Sequence, residues 1–168
     1  TYAIVPELVL ERNCLIPYNG NGYFKCSMVE PLACCYRGFL GCYHTDYTTY
    51  TRTDGTKKGG KLAILGGAGP MGLGCVELAY GFAGMSQVVV TGRNRERLDG
   101  ASKKCPPEYA KKKGCDLTYF CTTEHDDPVA KLIEISNGGF DDVFVMAPSP
   151  ELFQMAEQIC REDGCINF

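Results

Sequence analysis

The run Gly67-Ala68-Gly69-Pro70-Met71-Gly72 has the spacing G-x-G-x-x-G. It follows an apolar run, Lys61–Gly66 (KLAILG), and opens a stretch with helical period. In that context the pattern points to a turn that cradles a pyrophosphate. Gly67 allows a tight turn. Gly69 has no side chain to block the phosphates, and Gly72 lets the helix approach the strand closely. The helix N-terminus, entered through Pro70 and Met71, then offers N–H groups and a positive dipole end to the anion. A glycine-rich turn without a ligand is the plainer reading, and the strand–helix units that follow weigh against it.

The residue that reads the cofactor's ribose belongs about 20 residues further on, at the end of the second strand. The sequence there is Thr91-Gly92-Arg93-Asn94-Arg95-Glu96-Arg97. No acid ends the strand to bond a ribose 2′-hydroxyl. Gly92 leaves space, Arg93 brings a planar fork suited to phosphate, and Asn94 lies beside it. Arg97 shares a helix face with Arg93 if the helix starts that early. Two guanidiniums around a 2′-phosphate make NADP the expected cofactor, with NAD second. The alternative is that Arg93, Arg95 and Arg97 form a solvated helix face. Lys103-Lys104 and Lys111–Lys113 are read as solvated surface.

The elements needed to position such a site are visible as an alternation. Strands are expected at Lys61–Gly66, Gln87–Thr91, Asp116–Phe120, Asp142–Ala147 and from Gly164 to Phe168. Helices are expected at Pro70–Phe82, Arg95–Lys104, Pro128–Ser136 and Pro150–Cys160. Apolar strands alternating with helices mean a parallel sheet covered on both faces, an α/β doubly wound (Rossmann) fold. Five strands are visible where the full fold has six, so the last strand is expected to be missing.

Residues 1–30 differ from the rest. Tyr2–Val5 reads as a short strand and Leu8–Leu10 as another short element, and Asn13 to Phe24 has turn residues and no helical period. This stretch is expected to be the tail of an upstream catalytic domain or a linker, with the dinucleotide-binding domain at 31–168. Glu30-Pro31 opens a helix, with Leu32, Cys35, Phe39 and Cys42 at helical spacing, ending before Thr48. Residues 48–60 read as a polar surface loop.

Composition sets outer bounds. The chain has 168 residues, 45% hydrophobic and 22% charged, with a net charge of −3. That fits one globular domain and gives no basic bias toward nucleic acid. No apolar run reaches the roughly 18–20 residues of a membrane span. The start, Thr1-Tyr2-Ala3, lacks both an initiator Met and a signal peptide's basic region, so further sequence is expected and a cytoplasmic location is favoured. The eleven cysteines show no C-x-x-C pair. They are read as buried, reduced, small apolar residues of a cytosolic protein. A disulfide, or a metal site assembled from distant parts of the chain, is the remaining reading. His44, with Asp46 nearby, and His125 are each read as surface histidines, the first at a helix end and the second in a polar loop.

The run Gly59 to Gly74 resembles the zinc-containing medium-chain dehydrogenase/reductase superfamily, as do Val29-Glu30-Pro31-Leu32 before it and Phe140–Val145 after it. The sorbitol and sorbose-1-phosphate branch is the most similar. The resemblance spans the whole chain. It implies that Glu30 lies at or near a catalytic zinc, the alternative being an acid favoured by the helix dipole. It implies that Gly92, Arg93 and Arg97 meet a 2′-phosphate and that Ala147-Pro148 passes the nicotinamide, although most members carry a different turn there. The family's main zinc ligands and its structural zinc lobe lie in an upstream domain that this chain does not contain.

The expected parent is an oxidoreductase that moves a hydride between NADP(H) and a polyol, alcohol or keto-sugar, with zinc polarising the substrate oxygen. This chain alone is expected to bind cofactor and turn over nothing. The alternatives are a zinc-independent quinone or enoyl reductase of the same superfamily and a non-catalytic redox-sensing module. No nucleic-acid or membrane partner is expected, and an uncovered edge strand at the chain's end could pair with a second copy.

Overall fold

The computed structural model describes residues 3–168. The chain divides into two compact units, one ending at Glu30 and one spanning Pro31–Phe168. In the first, the strand expected at Tyr2–Val5 begins outside the described residues, and residues 3–6 take no regular structure. The element expected at Leu8–Leu10 is a helix, α1 (Glu7–Glu11), with no buried residue. A single helical turn, α2 (Tyr23–Cys26), follows.

From Val29 the order is α3 (Val29–Gly41), β1 (Tyr43–Asp46), β2 (Thr51–Asp54), β3 (Lys61–Leu65) and α4 (Pro70–Leu78). Then come β4 (Gln87–Gly92), α5 (Arg95–Lys104), α6 (Pro107–Lys112), β5 (Asp116–Cys121), α7 (Pro128–Ser136), β6 (Phe140–Val145), α8 (Pro150–Ile159) and β7 (Cys160–Asn167). The five long strands form one parallel sheet in the order β5-β4-β3-β6-β7. The chain therefore starts mid-sheet, winds outward to one edge, and crosses back to build the other half.

Successive strand residues face opposite sides, and the core splits accordingly. Leu62, Ile64, Val88, Val90 and Phe144 pack with Phe39 of α3, Val76 of α4 and Leu98 of α5. Ala63, Leu65, Val89, Val143 and Val145 pack with Leu132 of α7 and with Ala156 and Ile159 of α8. Both faces of the sheet are thus covered, which is why the strands read as continuous apolar runs.

Several boundaries correct the sequence reading. α3 ends at Gly41, before Thr48 as expected, and an unexpected antiparallel hairpin of β1 and β2 follows it. Its turn is held by Asp46, whose Oδ1 accepts from the N–H groups of Thr48 at 2.8 Å and Thr49 at 3.2 Å. The span read as a loop at 48–60 therefore contains a strand. The helix expected over Pro70–Phe82 is α-helical only to Leu78. It widens into a π-turn at Ala79–Ala83 and stops at Gly84, whose φ of +66° suits glycine. Among the cysteines, Cys14 and Cys34 are exposed, against the expectation of burial, while Cys35, Cys42, Cys75, Cys105, Cys115 and Cys121 are buried and all eleven are free thiols. No helix among the described residues is long and apolar enough to cross a membrane.

Two adjacent acids, Asp141 and Asp142, are buried in β6. Asp141 accepts from Lys57 Nζ and Lys61 N–H, both at 2.8 Å, and from Arg161 at 3.1 Å. Asp142 accepts from Lys57 N–H at 3.0 Å and meets His44 Nε2 at 3.0 Å. Burying charge costs free energy unless it is paired and hydrogen-bonded. Asp141 is paired with Lys57 and Arg161, whereas burial pushes the Asp142 carboxyl above its ordinary value despite its hydrogen bonds.

Candidate cofactor-binding site

A cleft of about 960 Å³ opens beyond the C-terminal ends of β3, β4 and β6. This is where an open α/β sheet places its ligand, at the point where strand order reverses. On one side lie Gly69 and Pro70; on the other lie Gly92, Arg93, Asn94 and Arg97. Ala147, Ser149, Glu151 and Leu152 close it from β6 and α8.

The glycine turn is built by sterics that differ from residue to residue. The positive φ, +72°, falls on Gly66 rather than Gly67. At Gly67 an added Cβ would lie 2.5 Å from Ile64 Cγ2, so this glycine is required by packing, not by turn geometry. A Cβ on Gly72 would lie 2.1 Å from the Gly67 carbonyl oxygen, so the helix start rests directly on the turn. A Cβ on Gly69 would meet nothing within 4 Å. Gly69 is the N-cap of α4 and Pro70 its first residue, with no side chain capping the end. Leu73 N–H closes the first helical turn on the Gly69 carbonyl at 3.0 Å. The N–H groups before it are those a helix leaves for a ligand. Close backbone packing under an open face fits the pyrophosphate of a dinucleotide. Met71 is partly exposed and its carbonyl accepts from the Cys35 thiol at 3.3 Å, outside the cleft lining.

Thr91, missed from the sequence, fixes this turn. It is 1% exposed at the end of β4. Its Oγ1 accepts from Gly66 N–H at 3.3 Å, and its carbonyl accepts from Gly67 N–H at 3.1 Å. The signal was a hydroxyl ending a β-branched strand, but its target lies 25 residues away and appears only when β3 and β4 pair.

Past the end of β4, α5 begins at Arg95, so Arg93 precedes the helix and does not share a helical face with Arg97. Both nevertheless line the same cleft. Asn94 is the N-cap: its Oδ1 accepts from Arg97 N–H at 2.9 Å, which anchors Arg97's backbone. Thr122 and Thr123 hydroxyls donate to the Gly92 and Arg93 carbonyls at 3.3 and 3.1 Å and hold the loop open. Arg95 turns away to pair with Glu124. A Cβ on Gly92 would lie 3.2 Å from Leu98, so this glycine also serves helix packing.

Across the cleft, Ala147 packs against the turn, 3.3 Å from where a Gly66 Cβ would sit. Pro148 is exposed and outside the lining. Glu151, also missed, lies in the lining; the bonded Ser149 hydroxyl holds its carboxyl below its ordinary value, with the Arg93 charge adding to the effect.

Glu30 is exposed in the first turn of α3. Among the described residues the one convergent group of metal-ligand atoms is Cys42, Asp142 and Cys165, and Glu30 is not in it. The residues present do not by themselves fit a catalytic zinc. The two histidines are not the surface groups expected. His44 lies on β1, 11% exposed in its side chain, with Nε2 3.0 Å from Asp142 and Nδ1 3.2 Å from the Asp163 carbonyl. His125 is half-buried and stacks on Phe120, with centroids 4.5 Å apart.

No family model matches the chain. Curated relatives match along all of it. They include an uncharacterised protein, YggP, of Escherichia coli (strain K12) at 39% identity, and mannitol-1-phosphate 5-dehydrogenase of Aliivibrio fischeri at 37%. L-sorbose 1-phosphate reductase of Klebsiella pneumoniae is 34% identical. The chain spans 40% of the length of each. Solved structures share the fold. 2R,3R-butanediol dehydrogenase of Bacillus subtilis has a TM-score of 0.58 at 22% identity, covering 90% of this chain and 37% of that one. A zinc-binding dehydrogenase of Clostridium scindens has 0.60 at 23%, covering 83% and 33%. A structure named as a short chain alcohol dehydrogenase of E. coli CFT073, in complex with NADH, has 0.58 at 20%, covering 90% and 37%. By sequence this chain is similar along its whole length to a mannitol-1-phosphate 5-dehydrogenase and an L-sorbose 1-phosphate reductase, and it shares its fold with solved alcohol and butanediol dehydrogenases.

Proposed function

We propose that the cleft between the Gly66–Gly72 turn and Arg93 binds a nicotinamide dinucleotide, with NADP(H) preferred over NAD(H). The carrying observation is the end of β4. Gly92 stands where an acid would read a free ribose hydroxyl, and Arg93 and Arg97 both line the cleft beside it. The turn residues seat the pyrophosphate, Asn94 positions Arg97, and Ala147, which lines the cleft, flanks the nicotinamide end. Bound there, the cofactor supplies or accepts a hydride; the chain's own residues hold and orient it.

The whole protein, on this reading, is an oxidoreductase acting on a polyol, alcohol or keto-sugar. Two relatives are named for sugar-phosphate substrates, which supports that substrate class. Zinc belongs to the proposal for the whole protein, with Glu30 as one ligand and the others outside this chain. A cytoplasmic location and a homo-oligomeric assembly are part of the same proposal.

The test is a fluorescence titration of this chain with NADPH and NADH. NADPH is expected to bind at least ~10-fold tighter, and Arg93→Ala to bring it to the NADH level, as loss of a charged phosphate contact worth about 1.5–3 kcal/mol requires. Equal affinities in the wild-type chain would refute the NADP preference; no binding of either would refute the site.

A further inference from the structure

At the other end of the sheet from the cleft, residues from three distant segments converge. The Sγ atoms of Cys42 and Cys165 and a carboxylate oxygen of Asp142 all lie within 4.8 Å of one another. Asp142 and Cys165 are register partners across β6 and β7, and so share a face of the sheet. Asp142 is also opposite Leu62, near the start of β3, whereas the cleft lies beyond the strand's far end. Cys42 arrives between α3 and β1. Cys42 is 1% exposed and Asp142 fully buried. Two residues on from Cys42, His44 grips both Asp142 and the Asp163 carbonyl on β7.

We propose that Cys42, Asp142 and Cys165 form a binding site for a zinc-class divalent cation, separate from the cofactor cleft, with His44 orienting the carboxylate. Two thiols and one carboxylate are a donor set that zinc accepts. With a Zn–S distance of about 2.3 Å, tetrahedral geometry sets neighbouring donors roughly 3.8 Å apart, inside the observed spread. A histidine hydrogen-bonded to a ligating carboxylate is the kind of partner that fixes a metal ligand's orientation. On binding, both thiols lose a proton to solvent and two Zn–S bonds form, with no change of oxidation state. The ion would tie the α3–β1 corner to β6 and β7, a structural role. The competing reading is a buried hydrogen-bonded cluster, in which Cys42 Sγ donates to the Gly38 carbonyl at 3.4 Å; such a cluster has no appreciable cation affinity.

The experiment is a titration of the reduced, metal-free 168-residue chain with Co²⁺, followed by displacement with Zn²⁺. One equivalent of Co²⁺ with a thiolate charge-transfer band, displaced by Zn²⁺, is expected. Cys165→Ser should weaken Zn²⁺ binding by at least ~100-fold, as loss of a direct ligand exceeds the 10–100-fold cost of losing an outer-shell partner. Cys14→Ser, at an exposed cysteine, should leave it unchanged. X-ray absorption of the zinc-loaded wild-type chain, which needs no variant to fold, should show two sulfur and further oxygen or nitrogen neighbours. Absence of the charge-transfer band at one equivalent would overturn the proposal. So would a band that survives in the Cys42→Ser/Cys165→Ser double variant, or a zinc shell without two sulfurs.

Discussion

At the scale of single residues, the glycines separate two kinds of demand. Gly72→Ala forces a Cβ into the Gly67 backbone, which cannot move aside as a flexible side chain would. Its expected cost is about 1–3 kcal/mol, the range for overpacking. At Gly69 the backbone, φ −93° and ψ 177°, suits any residue, and the space is open. Gly69→Ala should therefore keep the denaturation midpoint and, on the proposed function, weaken NADPH binding, because the methyl group would enter the space assigned to the phosphate. Urea unfolding and cofactor titration on both variants check the pair; a Gly69→Ala chain that binds normally would remove the phosphate from that spot. The glycine motif was legible because its spacing encodes backbone approach. Its division of labour was not: the left-handed residue is Gly66, one before the motif. Thr91 and His44 were illegible for a shared reason. Each acts on a partner brought near only by strand pairing or a crossover, and no local pattern records that.

At the scale of elements, the strands of the sheet were readable because burial on both faces makes them continuous apolar runs. The β1–β2 hairpin was not, since β2 is exposed along its length and β1 has only two partly buried residues. Thr51-Arg52-Thr53 carries no apolar face to announce it. The helix α6 was missed although Pro107 stands at its first position, a start signal too short to stand out between two lysine clusters. Helix α5 shows which local contacts hold an element. Asn94→Ala removes the acceptor for Arg97 N–H and should cost about 1 kcal/mol, as N-cap losses do. It should also loosen NADPH binding by freeing Arg97. Chemical denaturation beside a cofactor titration measures both; stability unchanged within error would show that solvent replaces the cap.

At the scale of the whole molecule, the helix-covered face beside α4, α5, α6 and β5 hides acids that titrate at high pH. Burial pushes the Cys105 and Cys115 thiols up to about 11 and the Tyr80 hydroxyl up to about 12, with the charges of Glu77 beside Cys105 and Tyr80 and of Asp116 beside Cys115 adding to it. Folded values above the ordinary ones mean that ionisation favours unfolding. This contribution to stability is complete below pH ~9 and is lost as pH rises toward 11. With a shift of about two units, each thiol accounts for on the order of 2 kcal/mol. Urea midpoints should fall steeply from pH 9 to 11 in the wild-type chain and less steeply in Cys105→Ala/Cys115→Ala; parallel slopes would show that these thiols are not responsible. The irregular edge of the sheet carries a different kind of constraint. Phe140 is opposite Cys160, yet Asp142, two residues later, is opposite Cys165. Three surplus residues bulge from β7, which brings Arg161 onto Asp141 and the Asp163 carbonyl onto His44. Beyond the bulge, Cys165 packs with one core and Ile166 with the other. Which residue meets which core is therefore a matter of odd and even: adding or removing one residue in the bulge exchanges the two faces, while a change of two restores them.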